Sequence, residues 1–195
     1  MPDIAAALGV SRGSVSLGTR DVPFEPGPRR RARRREPNAL QRRKQAEIDE
    51  LLDEGRRRIG ELSDREFLVA GAALYAGEGS KTGGAVGFAN TDPRMVAYFL
   101  SWLRRFFAID ESRLRVRVYL HEGLDLEGAT RFWSETTAVP VSQFRASYQA
   151  AADPTMRHNK HDRGCAYVSY SCSRTLRAVM GLVAALLSSS SCSPG

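Results

Sequence analysis

The chain has 195 residues, room for one domain or for a small domain joined to a medium one, and its 42% hydrophobic content can fill a buried core. A net charge of +7 and a pI near 9.8 point to an anionic partner, either nucleic acid or an acidic membrane surface. The longest apolar run, near Ala178–Leu187, is interrupted by Gly181 and too short to cross a bilayer. No basic-then-apolar leader opens the sequence, and three cysteines make no disulfide framework, so the expectation is a reduced cytoplasmic protein.

Residues 1–22 carry the spacing of the last two helices of a helix-turn-helix. Ala5 is small where two helices cross, Gly9 permits the turn, Val10 and Val15 plug the little core, and Ser11 caps the second helix. Arg12, Ser14, Ser16 and Arg20 then face outward, toward phosphates or base edges. No first helix precedes this pair, and Gly18 falls inside the recognition helix at a cost of about 1 kcal/mol, so the segment reads as a partial unit. A short surface hairpin of helices is the alternative. Residues 23–37 are Pro-flanked and Arg-rich, the composition of an unstructured linker. Arg30, Arg31, Arg33 and Arg34, with Arg29 and Arg35, can neutralise phosphates without sequence preference; a solvated charge run is the alternative. Residues 38–62 hold a surface helix with Leu40, Ile48, Leu51, Leu52 and Ile59 at roughly helical spacing. Arg43 and Glu47, like Glu54 and Arg58, stand four apart and can pair.

The next segment, Ser63 to Lys81, reads SDREFLVAGAALYAGEGSK. Ser63 and Glu66 form a capping box, and the body is apolar nearly all round, which predicts a buried helix. Gly71, Ala72, Ala73, Ala76 and Gly77 leave little side chain on one flank, so another backbone can approach closely. The helix is predicted to end on Glu78, with Gly79 as a left-handed cap. A carboxylate there faces the negative end of the helix dipole, so Lys81 or a divalent metal belongs beside it. A plain core helix with a solvated terminal Glu is the alternative.

Downstream, Ala85–Asn90 alternates as a short strand, and Asp92 with Pro93 starts a helix to about Phe107. In Arg113–His121, Leu114, Val116, Val118 and Leu120 point one way, while Arg113, Arg115, Arg117, Tyr119 and His121 point the other. Such a face suits DNA or is simply solvated. A helix follows from Asp125 to about Thr137, with Phe132 and Trp133 inward. Gln143–Tyr148 is a short strand or an extended loop, and residues 149–164 form a polar loop. Ala166–Ser171 is a strand, Ser173 caps a last helix to about Leu187, and residues 188–195 are a low-complexity tail.

The stretch LVAGAALYAGEGSK resembles the signature helix of the LAGLIDADG homing-endonuclease superfamily, and the resemblance covers about Ser63 to Leu187. It implies an α+β fold: an αββαββα domain over residues 63–187, here with an inserted helix and a short strand near Gly79–Thr82, preceded by the small helical segment and the surface helix. It also implies a homodimer paired through the 64–77 helix, with the arginine-bearing sheet across duplex DNA. Glu78 takes the acid position of the motif. Two Glu78 carboxylates from two subunits would bind Mg²⁺ for phosphodiester hydrolysis, with Lys81 or Lys160 polarising water or phosphate. Some Gram-positive sporulation regulators join a helix-turn-helix to a LAGLIDADG-like domain that no longer cuts DNA. The expected function is therefore a regulator-type DNA-binding protein, with a Mg²⁺-dependent DNA endonuclease as the alternative and an RNA-binding or interaction module as a third class.

The sequence RHNKHDRGC places His158 and His161 near Cys165, with Cys172 beyond, which invites a zinc reading. A strand over 165–172 opposes it, since at about 3.3 Å per residue it separates the two sulfurs by about 23 Å and turns them to opposite faces. A basic loop holding phosphate through Arg157, Lys160 and Arg163 is favoured, and a solvated loop is the remaining alternative.

Overall fold

The computed structural model describes residues 2–18, 38–150 and 162–188. The chain forms two compact units, residues 1–58 and 59–195. Among the described residues no helix is long and apolar enough to cross a membrane.

The first unit begins with helices α1 (Pro2–Leu8) and α2 (Arg12–Gly18). Ala5 and Val15 are buried, as their positions at the crossing require, but Val10 is 44% exposed and contributes no plug. Gly9 turns the chain with φ +63°, in the left-handed region that glycine enters freely. The Ser11 hydroxyl accepts from the Ser14 N–H at 3.1 Å and caps α2, which ends on Gly18 rather than enclosing it. Helix α3 (Ala39–Ile59) opens on a reciprocal cap between Asn38 and Gln41. None of its residues is buried. Of the two expected pairs, Glu54–Arg58 forms at 2.7 Å, whereas no ion pair joins Arg43 to Glu47. Asp53 pairs instead with Arg56 at 2.7 Å.

The second unit is α+β, with a five-stranded mixed sheet. Its elements are α4 (Asp64–Glu78), β1 (Gly79–Ser80), β2 (Val86–Asn90), α5 (Pro93–Phe106), β3 (Leu114–His121), α6 (Leu126–Thr137), β4 (Tyr148–Ala150), β5 (Cys165–Tyr170) and α7 (Ser173–Ser188). The strand order is β1-β2-β5-β3-β4, antiparallel throughout except for β3 with β4. The exception follows from α6. A helix between β3 and β4 carries the chain back across the sheet, so β4 arrives parallel, which a tight hairpin cannot do. The segment before β4 is extended, with Phe144 bridged to Val116 in the same parallel sense.

Caps set the helix starts. Asp92 accepts from the Arg94 N–H at 2.9 Å and pairs with its guanidinium, and these bonds hold its carboxyl at about 2. Asp125 accepts from the Gly128 N–H at 2.9 Å. Cys172, one residue before the expected Ser173, caps α7 by accepting from the Leu176 N–H at 3.0 Å.

The strands give one set of side chains to the core: Val86 and Phe88, Leu114, Val116, Val118 and Leu120, Ala166, Val168 and Tyr170. Helices α4 to α7 supply the other half, including Tyr75, Phe99, Trp102, Leu103 and Trp133. Phe88 stacks on Phe99 with centroids 4.5 Å apart, tying β2 to α5.

Helix α4 departs from the expectation of all-round burial. Only Gly71, Ala72 and Tyr75 are buried, while Val69, Ala73 and Gly77 form an exposed strip at four-residue spacing. The small residues therefore serve two faces. Gly71 lies under Trp102, whose indole N–H donates to the Leu68 carbonyl at 3.1 Å; a Cβ at Gly71 would stand 2.1 Å from Trp102 Cδ1. Gly79 is extended, with φ −73°, rather than left-handed, because the chain runs straight into β1. It is glycine for space, since a Cβ there would meet the Tyr75 ring at 2.4 Å.

The two glycines of α4 predict stability changes of opposite sign. Gly71→Ala drives a methyl into the indole and should cost roughly 1–3 kcal/mol, more than the ~1 kcal/mol that Ala gains in helix propensity. At Gly77 nothing lies within 4 Å of the added methyl, so Gly77→Ala should gain up to about 1 kcal/mol. Urea unfolding midpoints of the two variants check the signs.

Candidate nucleic-acid interface

The alternation of β3 gives the second unit its other face. Leu114, Val116, Val118 and Leu120 are buried, and Arg115, Arg117, Tyr119 and His121 are half-buried on the opposite side. Strand register builds this side into rows. Ser80, Gly87, Ser169 and Arg115 form one row. Ala89, Tyr167 and Arg117 form the next, then Cys165, Tyr119 and Tyr148, then His121 and Ala150. None of these residues is Asp or Glu, and none belongs to the core.

Each cation on this face has a distinct setting. Arg115 folds back along the strand, its Nη1 donating to the Ser112 and Leu114 carbonyls at 2.6 and 2.7 Å. Arg117 has a buried Nε without a hydrogen-bond partner, and among the described residues no carboxylate pairs with its guanidinium. Leaving a buried N–H unpaired costs about 1–3 kcal/mol, so such a group calls for an explanation in function or in a bound partner. Arg145 joins them. Its N–H donates to the Val116 carbonyl at 2.8 Å beside the inward Phe144, and extended alternation turns exposed Arg145 to the side of Arg117.

Tyrosines alternate with these arginines. Tyr119 and Tyr148 are cross-strand partners with ring centroids 5.9 Å apart and planes at 50°. The Tyr167 hydroxyl lies 2.4 Å from where a Cβ on Gly87 would be, so the ring crosses β2 only because residue 87 has no side chain.

The remaining expected site residues fall elsewhere. Arg113 is not part of the strand face. It closes the one-turn 3₁₀ helix Glu111–Arg113, lies over the Tyr170 ring at 5.6 Å and donates to the Ser171 carbonyl. Arg163 sits over the Phe132 ring of α6 at 5.5 Å, held by the Trp133 indole N–H donating to its carbonyl at 2.7 Å. Glu78 is exposed at the tip of α4, with no ion-pair partner among the described residues. Lys81 turns back to donate to the Gly77 carbonyl at 3.4 Å, placing a cation at the negative end of the helix. Tyr75 donates to the Ser80 carbonyl and fixes this tip to β1, and burial pushes its phenol pKa up. The tip thus belongs to the β1 edge, three strand spacings or about 14 Å from β3.

In the first unit Ser14 and Ser16 are exposed, the Ser14 hydroxyl lying 2.9 Å from that of Ser11. Arg12 belongs to α2. Arg20, Arg30, Arg31, Arg33, Arg34, Arg157 and Lys160 lie outside the described residues, as do His158 and His161. Cys165 opens β5 and Cys172 caps α7, both as free thiols. Hydrogen bonds from Thr175 lower the pKa of the Cys172 thiol.

Arg145, Tyr148 and Tyr167 are the members of the face that sequence reading missed. Tyr167 was legible from the alternation of CAYVSY, whereas Arg145 and Tyr148 join the face only through a non-local pairing with β3. No family model, curated protein or solved structure matches this chain.

The unpaired nitrogen of Arg117 predicts that Arg117→Met, which keeps the stem and removes the donor, leaves the fold intact and raises stability by about 1 kcal/mol. Urea melts test this, and a loss of more than about 1 kcal/mol would show that the guanidinium has an intramolecular partner.

Proposed function

We propose that this chain is a nucleic-acid-binding protein of the regulator type that grips duplex DNA with the open sheet face of its second unit. One observation carries the reading: Arg115, Arg117 and Arg145 share a face with three tyrosines, and none of the described residues in its rows is Asp or Glu. The net charge of +7 and the Arg run at 29–35 agree with an anionic, sequence-tolerant contact. The exposed Ser14 and Ser16 of α2 suit a second contact from the helical pair.

From α4 to α7 the order is helix, two strands, helix, strand, helix, two strands, helix; apart from α6 and the parallel edge strand β4 this is the αββαββα order that the resemblance to LAGLIDADG proteins implies. In this reading two copies pair through the exposed strip Val69, Ala73 and Gly77, which has little side chain to hold a second helix away. The protein acts in the cytoplasm, on DNA.

A Mg²⁺-dependent endonuclease is the second reading, favoured by the exposed Glu78 carboxylate at the α4 tip. Among the described residues no group of three His, Cys, Asp or Glu side chains converges. In this reading the Glu78 carboxylate of a second copy completes the ligand set. Plasmid incubated with protein and Mg²⁺ decides it: cutting that disappears in Glu78→Gln supports the nuclease, and DNA binding without cutting supports the binder.

For the binding reading, the test is the salt dependence of affinity for a mixed-sequence duplex. Replacing Arg115, Arg117 and Arg145 together by Ala should flatten the plot of log K against log salt by about 3, near one unit per phosphate contact. The loss should be similar on unrelated duplexes. A triple variant with the wild-type slope would remove the sheet face from the interface.

A further inference from the structure

The tyrosines of the open face are not explained by charge. Three of the six tyrosines, Tyr119, Tyr148 and Tyr167, stand there, while Tyr75, Tyr98 and Tyr170 are on the side of the helices. A surface that only neutralises phosphates has no use for rings, and an exposed ring carries a solvation cost that Ser or Lys would not. Tyr148 is 59% exposed, on the short edge strand β4. Tyr119 packs against it at 5.9 Å, so the ring is propped from one side. Arg145 precedes Tyr148 in the same edge segment, and Arg117 stands two residues before Tyr119, its neighbour on the same side of β3. Along β3 the outward side chains repeat about every 6.6 Å, comparable to one nucleotide of stretched backbone.

A duplex offers this arrangement only phosphates and base edges, because its π-faces are stacked inside. An unpaired nucleotide offers both a phosphate and a free ring face, and stacking of such bases on aromatic side chains beside arginines is the common physical basis of single-strand binding.

We propose that the Tyr119–Tyr148 end of the open face binds single-stranded nucleic acid, one unpaired base stacking on Tyr148 while Arg117 and Arg145 hold the flanking phosphates. This rests on the reading that the face binds nucleic acid, and it adds an unpaired state of the strand that one end of the face holds beside the duplex contact. The contacts are to rings and phosphates, which DNA and RNA share.

The experiment is fluorescence anisotropy with the full chain and three labelled probes at fixed salt: a thymidine 12-mer, a uridine 12-mer and a 12-bp duplex. Tyr148→Ala should weaken single-strand binding roughly 5- to 100-fold, and Tyr148→Phe should restore it, since the ring rather than the hydroxyl does the stacking. Duplex binding should change less than about twofold in either variant. The tighter of the two single strands names the natural source, and either meets the proposal. Equal losses on duplex and single strand, or no loss on either, would overturn the stacking while leaving the face as a nucleic-acid contact. Failure of the wild-type chain to bind any of the three probes would overturn both.

Discussion

The register of β3 on β5 is the constraint on which the rest depends. Leu114, Val116 and Val118 face Tyr170, Val168 and Ala166 across the ladder, and all six are buried. Between them Arg115 and Arg117 face Ser169 and Tyr167 on the other side. A slip of one residue would exchange the two sets. It would send two guanidiniums into a core that holds no carboxylate among the described residues, at several kcal/mol each, and bring the aliphatic set into water. The basic face is therefore not a decoration added to a stable sheet. The core and the face are one pattern read from two sides, and neither can drift without destroying the other.

Helices on one side only are compatible with such a sheet because its central ladders are antiparallel, a class that tolerates water on one face. The edges are kept short: two residues in β1 and three in β4. Little unpaired backbone is left for another strand to join. On the covered side the tightest contact is Trp102 on Gly71, where an indole occupies the volume of a missing side chain. Gly87 under Tyr167 repeats the device on the open side. One glycine lets a helix settle onto its neighbour, and the other lets a ring lie flat across a strand.

Much of this was legible in the sequence because it is local. The capping box of Ser63 with Glu66, the Asp92–Pro93 start and the strict alternation of RLRVRVYLH each depend on residues within one turn or one strand, and each appears where the spacing places it. What escaped depends on distant partners. Arg113 has the parity of the basic face, but its guanidinium finds the Tyr170 ring and the Ser171 carbonyl, 57 and 58 residues away, before the strand begins. Gly79 has the composition of a left-handed cap, yet pairing with Phe88 pulls it into a strand. The Ala/Gly content of α4 announced close packing without saying on which side. Trp102 claims Gly71 and leaves Ala73 and Gly77 outside. Arg145 and Tyr148 belong to the face only because α6 returns the chain parallel to β3, a consequence of topology with no trace in the local pattern.

The charges of the second unit are spread unevenly across the width of the sheet. At the β1 edge the exposed carboxylate of Glu78 stands beside Lys81, which turns back to the end of the same helix, so the two charges of that tip oppose each other. Toward the β3–β4 edge, Arg115, Arg117, Tyr119 and Tyr148 share rows in which no described residue is Asp or Glu. If the face binds nucleic acid as proposed, a polyanion is drawn to the β3–β4 edge, where the tyrosine pair adds a ring face on which an exposed base can stack.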